Sequence, residues 1–508
     1  MENRPQWGTR AGFILAAVGS AVGLGNIWRF PGVAYENGGG AFFLPYLFAL
    51  LTAGIPLLIL EFTIGHKHRG SAPLSYARAS KGSEWMGWWQ VMISFVISTY
   101  YAVIIAWAMA FAYFSINLQW QNSENPVSFL VGDYLKLSDP GVMGDLVPGV
   151  LIPLILVWAI TLGVLFAGVK KGIELANKIM IPALVVLFLV VVIRALTLDG
   201  AAEGLNAFFK PDWERIMEPS VWVAAYGQIF FSLSIAFAIM ITYSSYLPKK
   251  SDLTNNAFIT GFANSSVELL AGFGIFAALG FMAQSQGVAF ADLDARMTGV
   301  LLAFAVFPEI INQFPAFNGL FGFLFFTCLV LAGLSSLISI VETFVAAVSE
   351  KFNVSRSTAV AVGGGLSAVL SLLFATQGGL NFLDVTDEFI NQFGVALAGL
   401  FEVVFIAWIA KQLTPLQQHA NSVSDIRLGL WWKICLGLIT PLVLGYMMYG
   451  KIKERIINSY GGGDYPLEFV FNFGWAVAIG AMLAAVLLTA KPWSRNTVEL
   501  PVSKKEVS

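Results

Sequence analysis

About twelve runs of roughly 20 mostly apolar residues follow one another along this chain, each long enough to cross a bilayer as a helix. They lie near residues 10–35, 41–65, 88–117, 146–167, 173–197, 221–247, 255–284, 317–349, 357–376, 386–410, 430–450 and 468–490. Composition agrees with that pattern. Of the 508 residues, 57% are hydrophobic and 12% charged, against about 25% charged in an ordinary soluble protein. So few charges cannot solvate a surface of this size. Connections between the runs are mostly short, so residues 1–508 read as one all-α integral membrane domain in a lipid bilayer.

The same counts exclude other classes. A formal net charge of −2 with no basic block gives no electrostatic footing for nucleic acid. Cys328 and Cys435 sit inside apolar runs and read as small core residues. Three histidines, two of them in His66-Lys67-His68, offer neither a metal-ligand set nor a nucleophile–base pair, so no enzyme is expected. The first apolar run continues past the length of a cleavable signal. With the N-terminus inside, Arg10, Lys67, Arg69, Lys170, Lys171, Lys249, Lys250, Lys351 and Arg356 all fall on the cytoplasmic side. The acidic loop at 118–145 then falls outside, and an even number of spans makes both termini cytoplasmic. One loop dissents: Lys451, Lys453 and Arg455 are outside in this arrangement, only partly balanced by Glu454 and Asp464.

Two spans read as broken helices. Gly19-Ser20-Ala21-Val22-Gly23-Leu24-Gly25-Asn26 puts three glycines and two polar residues in mid-membrane, and Gln228-Ile229-Phe230-Phe231-Ser232-Leu233-Ser234 puts polar groups at similar depth. Non-helical backbone at that depth requires protein or a wet cavity around it. Interrupted helices in spans one and six, five apart, are a pointer to a transporter's binding site. A half-helix N-terminus suits a carboxylate, and a half-helix C-terminus offers carbonyls to a small cation.

The residues at these breaks carry a resemblance. Asn26-Ile27-Trp28-Arg29-Phe30-Pro31, followed by Glu36-Asn37-Gly38-Gly39-Gly40-Ala41-Phe42, resembles the neurotransmitter:sodium symporter family, in its bacterial leucine-transporter-like branch. Gly227 to Ser234 and Ala332-Gly333-Leu334-Ser335-Ser336 extend the likeness. It implies twelve transmembrane helices: a five-plus-five inverted repeat over 10–197 and 221–410, with helices 1 and 6 broken, and two further helices over 427–490. It also implies sodium-coupled uptake of a small molecule by alternating access, in a bacterial inner membrane.

Carried over position by position, the resemblance implies two sodium sites. The first would use the Ala21 carbonyl, Asn26, Ser232 and Asn264, completed by the substrate's carboxylate; the second, the carbonyls of Gly19, Val22 and Ala332 with the Ser335 and Ser336 hydroxyls. The substrate carboxylate would meet the N–H groups of Leu24 and Gly25 and the hydroxyl of Tyr101. Its side chain would lie among Ile97, Phe231, Ser234, Phe237, Ser336 and Ile340, with Ser232 shared between substrate and ion. Monoamine members carry an aspartate where Gly23 stands. Its absence favours a substrate that brings its own negative charge, a neutral amino acid. Ala236 and Ala238 stand where glycines are frequent, and their methyl groups would narrow the pocket toward a small or medium side chain.

Glu268 is an ionisable residue within a span, a functional candidate in itself. Chloride-dependent relatives have a small neutral residue there, so the glutamate implies chloride-independent transport, with proton counter-movement left open. Glu61, Glu342 and Glu402 read as helix–helix hydrogen-bond partners. Two gates are implied: Arg29 with Asp387 outside, and Arg4 with Trp7 latched on Glu350 near Tyr246 inside. A channel filter is not visible. A transport-deficient amino-acid sensor of the same fold stays as the alternative, and nothing here specifies an oligomeric state.

Overall fold

The structure, a computed structural model, describes residues 5–290, 293, 299–494 and 498. Among these residues the regular structure is helical, with one isolated antiparallel bridge between Leu146 and Thr376. Among the described residues, nine helices are long and apolar enough to cross a membrane. The difference from the twelve expected spans has a physical reason in three places. Pro148–Leu196 is one continuous stretch of 49 residues, but a helix that long would reach about 74 Å, more than twice a bilayer core. It turns at Gly168, whose φ of 86° is open only to glycine without strain, so the two expected spans meet there. The other two are the first and sixth spans, whose pieces are individually too short.

The elements around these breaks are α1 (Arg10–Ala21), α2 (Leu24–Ile27), α3 (Ile55–His68), α4 (Glu84–Ser115), α5 (Pro219–Ser232), α6 (Ile239–Ser245), α7 (Leu253–Gln286), α8 (Asn318–Phe352), α9 (Gly379–Phe389) and α10 (Thr440–Ile457). The long helices α4 and α8 pack along each other beside α1. At their crossing Gly333 allows close approach, since a methyl group there would fall 2.5 Å from Ile105. Lipid-facing positions such as Ile152, Ile179, Val186 and Leu487 are exposed and apolar, whereas α4, α7 and α8 are largely buried. The bundle thus holds α1, α2, α5 and α6 at its centre, screened from lipid by the longer helices.

Candidate substrate and sodium site

At the first break, α1 ends at Ala21 and the helix resumes at Leu24. Gly23 between them is extended (φ −109°, ψ −167°), and its N–H donates to the Ala21 carbonyl at 2.9 Å and to Asn26 Oδ1 at 3.0 Å. At the second break α5 ends at Ser232 and α6 begins at Ile239. Three non-glycine residues between them are left-handed: Ser234 (φ 53°), Ala236 (φ 64°) and Ala238 (φ 62°). Neighbouring helices satisfy the freed backbone, as burial in a membrane demands. The Ala236 N–H donates to Glu61 Oε1 at 2.7 Å, and Ser94 Oγ donates to the Phe237 carbonyl at 2.7 Å. The two breaks also hold each other: Ser234 Oγ donates to the Ser20 carbonyl at 3.0 Å.

Oxygen atoms gather on both sides of α1's broken end. Asn26 Nδ2 donates to Asn264 Oδ1 at 2.8 Å, and Asn264 Nδ2 donates to Ser232 Oγ at 2.5 Å. Asn26, Ser232 and Asn264 from three separate elements are therefore one buried cluster, next to Ala21. On the other side Ser336 Oγ lies 3.3 Å from both the Gly19 and Ser20 carbonyls. Ser335 Oγ donates to the Ala332 carbonyl of its own helix at 2.9 Å, and Val22 caps α1, fully buried. These donor sets hold neutral oxygens and no side-chain charge, chemistry that fits a hard monovalent cation which must also leave.

A cavity of about 190 Å³ opens beside the first cluster. Its lining includes Leu24, Gly25, Ile97, Tyr101, Phe231, Ser232, Ser234, Phe237, Ser336 and Ile340, the ten residues expected around a substrate. The Leu24 N–H donates to Tyr101 Oη at 3.1 Å, so backbone and phenol converge on one spot. A Cβ on Gly23 would lie 2.9 Å from that Oη and 3.0 Å from Ser336 Oγ. A side chain there would have to push one or both hydroxyls aside. The expectation from the two alanines needs correction: Ala236 and Ala238 are fully buried and outside the cavity lining, so their methyl groups do not narrow it.

The buried acids divide by role. Glu268 accepts from the Tyr46 hydroxyl and from Gln228 Nε2 at 2.6 Å, behind the Ser232–Asn264 cluster. Glu402 accepts from Gln90 Nε2 at 3.0 Å, joining two helices as expected. Glu61 serves the unwound backbone rather than another side chain. Glu342 accepts from Tyr246 Oη at 2.9 Å and forms a two-pronged ion pair with Arg356 at 2.8 and 2.7 Å. Sequence spacing had no way to find that pair, because the end of α8 lies between the partners.

The gates differ in state. On the inner side Trp7 is buried, its Nε1 donating to the Tyr243 carbonyl at 2.8 Å and its ring packed on Tyr243 and Tyr246. Glu350 accepts from the Ser71 N–H and hydroxyl at 2.8 and 2.7 Å. Arg4, the expected partner in this latch, lies outside the described residues. On the outer side, Arg29 and Asp387 both line the cavity, but among the described residues no ion pair joins them. Arg29 rests on the Phe231 ring, 4.3 Å from its centroid, and Asp387 Oδ1 accepts from Asn391 Nδ2 at 2.8 Å. The expected outer pair is thus not closed in this structure, because each partner is held elsewhere.

A polytopic helical protein with two facing interrupted spans and a cavity between them has the build of a secondary transporter. Comparison with known proteins specifies which. The family model for the sodium:neurotransmitter symporters matches residues 4–131 and 124–495. A sodium-dependent transporter of Methanocaldococcus jannaschii is 42% identical over 497 residues, covering 96% of this chain and 99% of that protein. The human sodium- and chloride-dependent taurine transporter is 30% identical over 531 residues, covering 96% of this chain and 84% of that one. Among solved structures, MhsT in complex with L-phenylalanine matches with a TM-score of 0.74 and 33% identity, over 88% of this chain and 99% of MhsT. The chain belongs to the sodium:neurotransmitter symporter family. It is a sodium-dependent integral membrane transporter and not an enzyme.

Proposed function

We propose that the protein imports a neutral amino acid together with sodium, by alternating access, across a bacterial inner membrane with both termini cytoplasmic. The observation that carries this reading is the space at Gly23. Tyr101 Oη and Ser336 Oγ would lie 2.9 and 3.0 Å from a Cβ there, so an acidic side chain would have to displace them; with none at position 23, the carboxylate that completes the Asn26–Ser232–Asn264 cluster comes with the substrate. A carboxylate also suits the Leu24 N–H and Tyr101 hydroxyl that converge there. The amino-acid ligand of MhsT supports the same class. Ile97, Phe231, Phe237 and Ile340 give the remainder of the cavity an apolar wall for a neutral side chain.

In this reading sodium occupies two places: Ala21, Asn26, Ser232 and Asn264 for one ion, and Gly19, Val22, Ala332, Ser335 and Ser336 for the other. Residues 10–197 and 221–410 are the two inverted repeats, so that each break is contributed by one half. Substrate and ions share Ser232, Ser336 and the carboxylate, which couples their binding energies. Each sodium charge moving through ~100 mV contributes roughly 2.3 kcal/mol toward accumulation. Glu268, held by Tyr46 and Gln228 next to the first cluster, supplies fixed negative charge where chloride-dependent relatives need an anion.

Purified protein screened by thermal shift against the amino acids tests the reading. The substrate is expected to raise the melting temperature only when sodium is present. Stabilisation by an amine such as dopamine, and by no amino acid, would overturn it. Sodium-driven uptake into proteoliposomes separates a transporter from a sensor of the same fold. Replacing chloride by gluconate is expected to leave the uptake rate within about two-fold, and a large loss refutes chloride independence.

A further inference from the structure

Three acids crowd α9, the helix that carries the outer-gate aspartate: Asp384, Asp387 and Glu388. Of these only Asp387 lines the cavity. The other two are taken up from the far side by the chain around the end of α10. Arg455 Nη2 donates to Glu388 Oε1 at 2.7 Å and Nη1 donates to Glu454 Oε1 at 3.0 Å. The same guanidinium lies 4.9 Å from the Tyr460 ring centroid. Tyr460 and Tyr465, stacked at 5.9 Å, both donate their hydroxyls to Asp384 Oδ2, at 3.0 and 2.9 Å.

Arg455 belongs to the one loop whose positive charges run against the orientation expected from lysine and arginine placement. Its pairing explains the exception, since the charge answers an acid on α9. The pair is also not an ordinary surface ion pair. The Arg455 and Glu388 side chains are 9% and 20% exposed, so neither is freely solvated and an unpaired partner would stay charged in a poorly screened place. Glu388 directly follows Asp387. Left unpaired, it would offer Arg29 a second negative charge beside the first, in a region where water screens weakly.

We propose that Arg455 is a positioning residue of the outer gate. By neutralising Glu388 it leaves Asp387 as the one acid of α9 available to Arg29, while the Tyr460 and Tyr465 hydroxyls hold Asp384 by hydrogen bonds. The inference rests on the reading of Arg29 and Asp387 as the outer gate. A gate pair must form and break in each cycle, so a competing carboxylate would hold Arg29 off its partner and weaken closure over the bound substrate.

Four variants in proteoliposomes test this by sodium-driven uptake, with KM and maximal rate measured separately. Arg455→Gln is expected to raise KM about 5-fold or more, the lower end of typical coupling between sites, with a smaller effect on maximal rate. Glu388→Gln is expected to stay within about two-fold of the parent, and the double variant to recover to the same range. A double variant as impaired as Arg455→Gln overturns the proposal, because an anchoring role has no reason to be rescued by removing the acid. An unchanged Arg455→Gln overturns it as well. If Arg455→Gln alone does not fold, a folded and active double variant is the expected rescue, and a double variant that also fails to fold sinks the idea. Asp387→Asn keeps the two readings apart. An unaffected Asp387→Asn removes the gate itself, whereas an impaired Asp387→Asn with an unaffected Arg455→Gln removes only the positioning role.

Discussion

The two broken helices solve the same problem in opposite ways. The first is built around Gly23, yet Gly23 is extended and needs no left-handed freedom; a Cβ there would crowd the Tyr101 and Ser336 hydroxyls at 2.9 and 3.0 Å. The second needs left-handed backbone at three positions and fills them with Ser234, Ala236 and Ala238. A non-glycine residue in that region costs roughly 1–2 kcal/mol. So the first break is shaped by what it must admit, and the second is a strained segment held by its surroundings. Glu61, Ser94 and Ser20 hold it through bonds at 2.7 to 3.0 Å. In the proposed function the same division has a use: the unstrained side would present N–H groups to a carboxylate, and the strained one would be the segment to respond when the helices around it move.

The largest expected effect comes from refilling the first break. Gly23→Asp places a Cβ against Tyr101 and Ser336 and a second carboxylate beside the substrate's. Uptake of neutral amino acids is expected to fall on the order of 100-fold, about 2.7 kcal/mol. Radiolabelled uptake checks it, and a Gly23→Asp protein that transports amino acids normally would end the argument from space. A smaller effect comes from releasing the second break. Glu61→Leu removes the acceptor for the Ala236 N–H and leaves a buried donor unpaired, a loss of about 1–3 kcal/mol. Glu61→Gln keeps an acceptor oxygen and should keep most of the stability. Thermal melting of the two purified variants distinguishes them. Equal melting would mean that the backbone bond, and not the strain it offsets, is dispensable.

Much of this arrangement is legible in the sequence, and the reasons it stops are physical. Apolar runs of membrane length announce the helices, and the polar interruptions point to the breaks, although Gln228 itself lies inside α5 and is there to meet Glu268. The ten residues around the cavity follow from the resemblance, since side chains from five elements have no common spacing. What escapes is backbone conformation that runs against propensity. Alanine is the best helix former, and no local rule puts Ala236 and Ala238 in the left-handed region. Pairings between distant ends of helices escape as well. Glu342 read as a helix–helix hydrogen-bond partner and Arg356 as a cytoplasmic-side charge, and Arg455 read as a charge on the wrong side, until the fold paired Glu342 with Arg356 and Arg455 with Glu388.

The smallest expected effect is also the sharpest test of the contrast between the breaks. Ala236→Gly and Ala238→Gly relieve left-handed strain of roughly 1–2 kcal/mol each. Against this, glycine adds freedom to the unfolded chain worth about 0.4–1 kcal/mol. The net gain in stability should therefore be small, about 0–1.6 kcal/mol per site, and visible as an unchanged or slightly raised melting temperature. Selectivity is the more telling readout. Neither alanine lines the cavity, so competition by alanine and by tryptophan against the transported amino acid should keep the same order in the glycine variants as in the parent. A clear gain for tryptophan would mean that these methyl groups restrict the substrate during the cycle, by limiting how far the unwound segment moves. The second break would then be a selectivity element as well as a hinge, and the difference between the two breaks would be one of mobility more than of space.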